Sequence, residues 1–443
     1  MNTSSTVPSQ DKNEAPTTQA VTPLASKPFL VSGAEVAFAL LSYVAAYLYT
    51  RLWFNDLGLY SENTAPLWRV LPIAVFAIAA GLVLNRKKKA SAESWFWLAC
   101  FGALSIALTF RIYAVWDEPQ LFMLVHAAIV WWVLARSGKL LEKESSHFLP
   151  MDVINGLFVI PFLQFFLRIR TWIKALANAA HKSRGKRQNL WWILGALILS
   201  LILFYAAIRL LSRADSQFSD RMEGLISWLR IDSEFLVYFI FSLPIGAYIY
   251  ALIGGSARMD DDLMRRQKSA LERFLTAIRR VPAAFWAVII LVFSVLYIAF
   301  FALQASYFLG AFTHTLPEGF IVSRFAREGF FELCRVMALN FALLWLVTRM
   351  SEQDAKDSKL LKISCLLLLL ESLLFAVIAA SKICLYVSNF GWTPKRIQSL
   401  WLVAVLAGAC LAWAIHLLSG KKTLKSWLIL SAATLTLLTF LPL

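Results

Sequence analysis

Long apolar runs, separated by short basic loops, recur along the chain from Val36 to Leu443. Most runs have about 17–25 residues, the length at which an α-helix crosses a hydrocarbon core ~30 Å thick. Hydrophobic residues make up 59% of the chain, and the mean hydropathy is +0.64. A water-soluble domain could not bury so much apolar surface. The sequence therefore predicts an all-α fold, a polytopic transmembrane helix bundle with about 11–12 spans.

The candidate spans are predominantly apolar, and Trp or Tyr recurs near their ends, as at membrane–water interfaces. They are Val36–Tyr49, Trp68–Leu84, Trp95–Arg111, Gln120–Ala135, Met151–Leu167, Trp191–Leu211, Glu234–Ile253, Pro282–Tyr307, Gly329–Val347, Leu360–Ile383, Leu400–Leu418 and Leu424–Leu441. We interpret residues 35–190 as an N-terminal bundle and residues 191–443 as a C-terminal bundle. Residues 1–34 precede them as a tail that is rich in Ser, Thr, Pro and Gln in its first 28 positions, a composition typical of disorder.

Charge predicts the orientation of these spans. The chain has 43 Lys and Arg against 27 Asp and Glu, and the basic residues gather between the apolar runs. By the positive-inside rule, the loops at 86–89, 258–280, 349–362 and 421–425 are cytoplasmic, which places the N-terminus inside and the C-terminus outside. The expected partners are the lipid bilayer, anionic lipid head groups at the cytoplasmic face and a membrane protein. No nucleic-acid recognition module accompanies the net charge of +16, so nucleic acid is not an expected partner.

The segment Met151–Leu167 does not fit this alternation, because basic residues flank it on both sides. It also contains Asn155, Gly156 and Pro161, which weaken a straight helix. We therefore favour a re-entrant or interfacial segment over a twelfth crossing. Such irregular backbone is tolerated at membrane depth only where protein or a wet cavity covers it.

Two loops are predicted to contain amphipathic helices. Apolar residues recur at helical spacing over Asp215–Ile231, which suggests a helix that lies on the outer face. In the cytoplasmic loop, Asp260–Asp262 begin a helix that ends at Arg280. Acids at a helix N-terminus and bases at its C-terminus complement the helix dipole, which explains these residues better than a metal site does.

One acidic residue lies inside a span. Glu371 is preceded by five consecutive leucines near the middle of the run Leu360–Ile383, where a charge costs about 2.5–3.5 kcal/mol. We expect it to be protonated or paired, with Gln304 and Asn340 as candidate hydrogen-bond partners. It serves either proton coupling or helix packing. No cofactor is expected, since the five cysteines form no C-x-x-C pair and the five histidines are scattered.

Polar motifs cluster around the ends of the later spans. Glu328, Glu332 and Arg335 share one helix face at the mouth of a span, where a charged face must meet protein or water. We expect Arg396, in the hairpin after the next span, to satisfy Glu328 or Glu332. The arrangement is either a polar clamp between helices or a site for a ligand or partner. The candidate residues are Gln304, Tyr307, Arg327, Glu328, Glu332, Arg335, Glu371, Tyr386, Thr393 and Arg396.

These motifs also resemble a known pattern. The stretches that carry it are Ala214–Phe218, Gln304–Gly310, Leu316–Gly319, Ala326–Leu333 and Tyr386–Arg396. They are similar to a bacterial family of multi-pass membrane proteins, domain of unknown function four-one-seven-three, with a close relative four-one-five-three. The resemblance covers roughly Trp191 to His416. It implies a multi-pass architecture in the bacterial inner membrane, and no established chemistry.

Three classes of function fit the sequence. The first is a regulatory or scaffold protein of the cell envelope, which suits the basic loops and the lack of catalytic motifs. The second is a transporter or lipid-handling protein that uses Glu371 and the re-entrant segment. The third is a membrane enzyme with a lipid-linked donor. Its acids or histidine would come from short external loops, and the candidates are Asp56, Asp117, Glu118 and His314.

Overall fold

The computed structural model describes residues 30–56, 70–182, 233–313 and 322–441, together with isolated positions between 199 and 211. Within these ranges all regular structure is helical, and no β-strand occurs. The helices are α1 Gly33–Asp56, α2 Val70–Leu84, α3 Ala92–Phe110, α4 Glu118–Ser137, α5 Leu149–Ile154, α6 Ile160–Leu163, α7 Leu167–Lys182, α8 Ser233–Tyr250, α9 Asp261–Ile278, α10 Ala283–Thr313, α11 Val322–Met350, α12 Lys359–Phe390, α13 Pro394–Ser419 and α14 Leu424–Thr439. A π-helical turn, Asn155–Val159, joins α5 to α6, and a second, Ala251–Gly255, prolongs α8 to Arg258.

Nine of the described helical segments are long and apolar enough to cross a membrane, and the shorter helices α2 and α14 are also apolar. The all-α multi-pass fold is thus confirmed. The predicted tail before Pro28 and the predicted outer helix Asp215–Ile231 lie outside the described residues, and so does most of the predicted span Trp191–Leu211.

Two hydrophobic clusters divide the described helices. The first cluster joins α1 to α4 with α8, and the α14 residues Leu428, Ala432 and Leu435 pack against it. The second is built from α10, α11, α12 and α13. The predicted division at residues 190 and 191 differs from this one, because α8 and α14 follow that boundary in the chain but pack with the first cluster. Hydropathy marks each span without showing which spans are neighbours.

Local signals explain where several helices begin and end. Ser91 caps α3 by accepting a hydrogen bond from the backbone N–H of Ser94. Asp117 and Gln120 form a capping box at the start of α4, which ends at Gly138 in the left-handed conformation. Pro394 occupies the first turn of α13, where its missing N–H has no partner to lose.

The loops gather at two ends of the molecule. At one end, called the basic end, lie the loops 85–91, 138–148, 259–282, 351–358 and 420–423. Lys88 donates to the carbonyl of Ser137 at 2.8 Å, and Lys425 donates to Glu144 at 2.6 Å. At the opposite end, Lys395 pairs with Asp117, and Gln398 donates to the carbonyl of Val115. These contacts group the loops as the charge pattern predicts.

The segment from α5 to α7 contacts the basic end along its length. Asn155 and Gln267 of α9 exchange two amide hydrogen bonds, at 2.8 and 3.1 Å. Beyond the turn after α6, Leu167 of α7 packs with Tyr250 in a small buried cluster, and the Tyr250 hydroxyl donates to the carbonyl of Glu35 near the start of α1. Residues 149–178 are long and apolar enough to cross a membrane. However, the part before the turn at Gln164 and the part after it both contact residues near the basic end. This geometry favours the re-entrant or interfacial arrangement.

Candidate functional site

A buried polar cluster connects three helices of the second bundle. It consists of Ser294 and Tyr297 on α10, Asn340 on α11, and Glu371 and Ser372 on α12. Glu371 is 3% exposed and Asn340 is completely buried. Ser294 and Tyr297 are three residues apart, so one face of α10 presents both hydroxyls to the neighbouring helices.

Hydrogen bonds order this cluster. Ser294 Oγ donates to Glu371 Oε2 at 3.0 Å, and Tyr297 OH donates to Asn340 Oδ1 at 2.6 Å. Asn340 Nδ2 donates to Ser372 Oγ at 2.9 Å, and Ser372 in turn donates to a backbone carbonyl of its own helix. The second carboxyl oxygen of Glu371, Oε1, is buried and has no hydrogen-bond partner among the described residues.

The structure corrects the predicted partner of Glu371. Asn340 binds Tyr297 and Ser372, so the carboxyl group meets Ser294 instead. The side chain of Gln304 lies outside the described residues. Because a single serine in an apolar helix produces no charge or periodicity signal, sequence analysis missed it.

Aromatic rings cover one side of the cluster. Phe375 lies 5.0 Å from Tyr297, 4.8 Å from Phe301 and 5.8 Å from Phe300 between ring centroids. The carboxyl group of Glu371 is therefore held beside apolar rings by one hydroxyl donor. This arrangement can retain a proton on a carboxyl away from bulk water, or fix the register of three helices.

On the charged face of α11, an ion pair forms between two residues of the same helix. Glu332 and Arg335 form an ion pair at 2.5 Å, and both side chains are exposed. Arg327 and Glu328 are exposed as well, and the side chain of Tyr307 lies outside the described residues. The side chain of Lys382 on α12 packs across Gly329, where a Cβ atom would collide with it. The glycine thus makes room for a lysine side chain on the neighbouring helix.

The hairpin after α12 also differs from the expected clamp. Arg396 stacks over the ring of Tyr386 at 4.0 Å and donates to the carbonyls of Phe390 and Gly391. Thr393 precedes α13 as its N-cap residue. Of the two predicted partners of Arg396, Glu332 pairs with Arg335 instead. The pairing of Arg396 with Glu328 stays a prediction. A partner three residues away on the same helix is available without any tertiary arrangement.

The acids proposed for an enzyme have structural contacts. Asp117 begins α4 in a capping box and pairs with Lys395. Glu118 accepts a hydrogen bond from Tyr113 at 3.3 Å. The side chain of Asp56 and the whole of His314 lie outside the described residues. In the part of the chain that the structure describes, no group of three metal-ligating side chains occurs.

Two buried cations escaped sequence analysis. Lys139, fully buried, donates to the carbonyl of Met259 at 2.6 Å and pairs with Asp261. Its hydrogen bond holds the pKa of Asp261 below the ordinary value. Arg168 of α7, 4% exposed, donates to the carbonyl of Leu243 and lies 3.9 Å from the ring of Tyr43. Both lie among the basic residues that flank the segment Met151–Leu167 in the sequence, where nothing signals burial.

Burial also changes the ionisation of the basic end. It lowers the pKa of Lys88 from its ordinary value, and the neighbouring Lys139 lowers it further. Lys88 nevertheless donates to Ser137, while Arg136 donates to the carbonyl of Lys88. Three cations are thus held close together by backbone carbonyls and by Asp261. These contacts attach α9 to the loops that flank α4.

The helices and their apolar faces define the class: a multi-pass helical membrane protein. The sequence model of the family described as Domain of unknown function (DUF4153) matches residues 98–443, so the chain belongs to that family. The suspected family is thereby confirmed, through the second of the two related groups that the motifs suggested. The match begins well before Trp191, where the visible motifs began. No curated protein and no solved structure matches the chain.

Proposed function

We propose that this protein is a regulatory or scaffold protein of the bacterial cell envelope that works by binding a membrane protein partner. In this proposal it lies in the plasma membrane with its N-terminus in the cytoplasm and its C-terminus outside. The orientation is supported by the excess of Lys and Arg in the loops of the basic end.

The observation that carries this proposal is the ordered loop 351–358 at the basic end, which we call the bridge loop. Val281 donates to the carbonyl of Met350 at 3.1 Å, and Glu352 donates to the carbonyl of Val281 at 2.9 Å. Arg279 pairs with Asp354. Glu352, Gln353 and Asp357 are exposed on this fixed backbone. A polar surface that is already ordered loses little conformational entropy when it binds a protein.

A crosslinking experiment in cells tests this role. A photoreactive amino acid at Gln353 should give one crosslinked protein product of defined mass, and the same amino acid at the exposed Leu437 of α14 serves as control. Reversing both Glu352 and Asp357 to Lys should abolish the product at position 353 without lowering the amount of protein in the membrane. The proposal fails if position 353 gives no more protein crosslinks than position 437.

A second candidate, a transporter, is supported by Glu371. Its carboxyl group is buried between helices and bonded to Ser294 of α10 through only one oxygen. Adding or removing a proton there would change the contact between α10 and α12. Coupling of that change to movement of a solute is the mechanism by which intramembrane acids serve transporters.

Proton flux into vesicles distinguishes the two candidates. The purified chain is reconstituted with a trapped pH-sensitive dye, and Glu371→Gln is compared with Glu332→Gln, which removes an exposed carboxylate. A transporter should show flux in the wild type and in Glu332→Gln but not in Glu371→Gln. A scaffold protein should show no flux above empty vesicles in any of the three.

A further inference from the structure

Helix α7 has three distinct faces. Leu167, Arg168 and Thr171 are buried against the protein. Ile169 and Ile173 are 50% and 62% exposed, and they lie four residues apart on a second face. Between the buried and the apolar faces, Arg170 and Lys174 are exposed and also four residues apart. A helix with these three faces suits a position at the edge of a bilayer, beside the protein.

Helix α9 repeats this arrangement. Met264 is buried, and the Gln267 amide is bonded to Asn155, so this face lies on the protein. Leu263 and Phe274 are exposed by 41% and 60% on the adjoining face. Arg266 and Arg273, exposed and seven residues apart, border that apolar row.

The acidic residues of α9 pair with cations other than these two arginines. Asp261 pairs with Lys139, Asp262 with Arg265 and Glu272 with Lys268. Within the described part of the chain, Arg266 and Arg273 form no ion pair. Their charge is therefore directed outward, next to exposed apolar side chains.

Helix α9 belongs to the basic end, where Asn155 and Lys139 connect it to the rest of the first bundle. Helix α7 packs beside the first turns of α1, because Leu167 shares a buried cluster with Ala39. In water the exposed Ile and Phe side chains would be unfavourable. At the boundary of head groups and acyl chains they are buried, and the long Arg and Lys side chains reach lipid phosphates. We propose that α7 and α9 together form a binding surface for anionic phospholipid head groups, which we call the lipid collar.

The lipid collar extends beyond the proposed function, because a scaffold protein and a transporter could both use it. Through the lipid collar, the lipid composition of one leaflet would affect the parts of the fold that α9 contacts. Through Asn155 and Gln267, α9 contacts the re-entrant segment, and through Arg279, just after its end, it reaches the bridge loop. Bound anionic lipid should therefore stabilise the arrangement of the basic end.

Lipid titration of the purified full-length chain tests the proposal. The chain is titrated with phosphatidylglycerol or phosphatidylcholine, and the melting temperature reports binding. Phosphatidylglycerol should raise it more, and high salt should reduce the difference. Each surface cation contributes about fivefold in affinity, so Arg266→Glu with Arg273→Glu, or Arg170→Glu with Lys174→Glu, should weaken binding at least about twenty-fold.

The matched control is Lys421→Glu with Lys422→Glu. It changes the net charge equally, on exposed residues of a basic-end loop that does not belong to the collar. This control should bind phosphatidylglycerol like the wild type. If a Glu variant does not fold, the corresponding Gln variants, which remove charge without reversing it, should still bind more weakly. The proposal is overturned if both lipids act equally, or if the control loses as much affinity as the collar variants.

Discussion

At the residue scale, several buried polar groups are paired with distant parts of the chain. Tyr297, Asn340 and Ser372 form a continuous hydrogen-bonded chain across three helices. Lys139 is completely buried yet donates to a carbonyl and a carboxylate. In surroundings without water, an unpaired polar group costs several kcal/mol, so these contacts specify which helix faces meet.

The Tyr297–Asn340 bond should have a measurable but modest effect. Tyr297→Phe removes the donor while keeping the ring against Phe375, and we expect a loss of about 0.6 kcal/mol, at most ~1.7 kcal/mol, in the free energy of unfolding. Tyr386→Phe, which removes the hydroxyl of a half-buried ring near the end of α12, is the control and should change little. A double-mutant cycle with Asn340→Ala in detergent unfolding measures the coupling. Strict additivity would contradict a bond between these side chains.

Asp261 should make stability depend on pH. Because its pKa is lowered in the folded protein, its stabilising contribution is present at neutral pH and is lost as pH falls through the folded pKa, below its ordinary value of about 4. The Asp261 side chain is 64% exposed, so water screens the pair and we expect about 0.2–1 kcal/mol. Melting curves should show Asp261→Asn less stable than wild type at pH 7, with a difference that shrinks as pH falls below about 4. A difference that grows on acidification would disprove this origin.

At the scale of the elements, small residues decide how closely helices approach. Gly81 of α2 receives the indole ring of Trp132 from α4, and Gly156 lies against Val130 and Leu134. In the π-helical turn after α8, Gly255 accommodates Gln164, which begins the turn between α6 and α7. The segment from α5 to α7 therefore packs against glycine positions, which have no side chain.

Two adjacent glycines, Gly254 and Gly255, allow a matched test of this packing. A Cβ atom on Gly255 would lie 2.8 Å from Gln164 Cβ, whereas one on Gly254 would find only ordinary contacts at 3.5 Å or more. Gly255→Ala should therefore destabilise the protein by about 1–3 kcal/mol through overpacking. Gly254→Ala should cost less, and thermal unfolding of both variants decides. Equal effects would mean that the segment is not packed against Gly255.

Residues 149–178 should enter and leave at the same face. In a variant whose native cysteines are replaced, Lys143→Cys and Asn178→Cys are both exposed positions that flank or end the segment. An impermeant maleimide should miss both in intact cells and label both after permeabilisation. Trp392→Cys, exposed at the opposite end, should be labelled in intact cells. Labelling of Lys143→Cys and Asn178→Cys from opposite sides would show that the segment crosses.

At the scale of the whole molecule, polar contacts join the two bundles at both ends. Arg349 of α11 donates to the carbonyl of His147 at the basic end, and Lys395 of α13 binds Asp117 at the opposite end. Near the latter pair, the rings of Trp116 and Trp401 lie 6.0 Å apart. Because α14 packs with the first cluster and α13 with the second, the loop between them links the bundles at the basic end.

The two ends of the described chain should face opposite sides of the membrane. Helix α1 begins near Arg258, and α14 begins beside Glu144, both at the basic end. With the basic end inside, alkaline phosphatase fused after Leu443 should be active, and a fluorescent protein fused before Met1 should fold in the cytoplasm. An inactive phosphatase fusion, with the protein present at normal amount in the membrane, would reverse the assignment or add a crossing.

Hydropathy and charge were enough to predict the described spans, the grouping of the loops and the position of Glu371 inside a span. These are local properties, since membrane insertion depends on hydropathy over about 20 residues and on nearby charges. A lone acid among leucines stands out in such a window. The exceptional segment at 151–167 was visible for the same reason, because its flanking charges are local too.

Only the tertiary structure decided which residues meet. Ser294 and Glu371 are 77 positions apart, and Lys139 and Met259 are 120 apart. The partner of Glu371 and the placement of α8 and α14 in the first bundle depend on packing through space, to which span length and hydropathy are insensitive. Lipid tails are as apolar as the helices, so hydrophobicity alone does not choose neighbours. Close packing, small residues and buried hydrogen bonds make that choice.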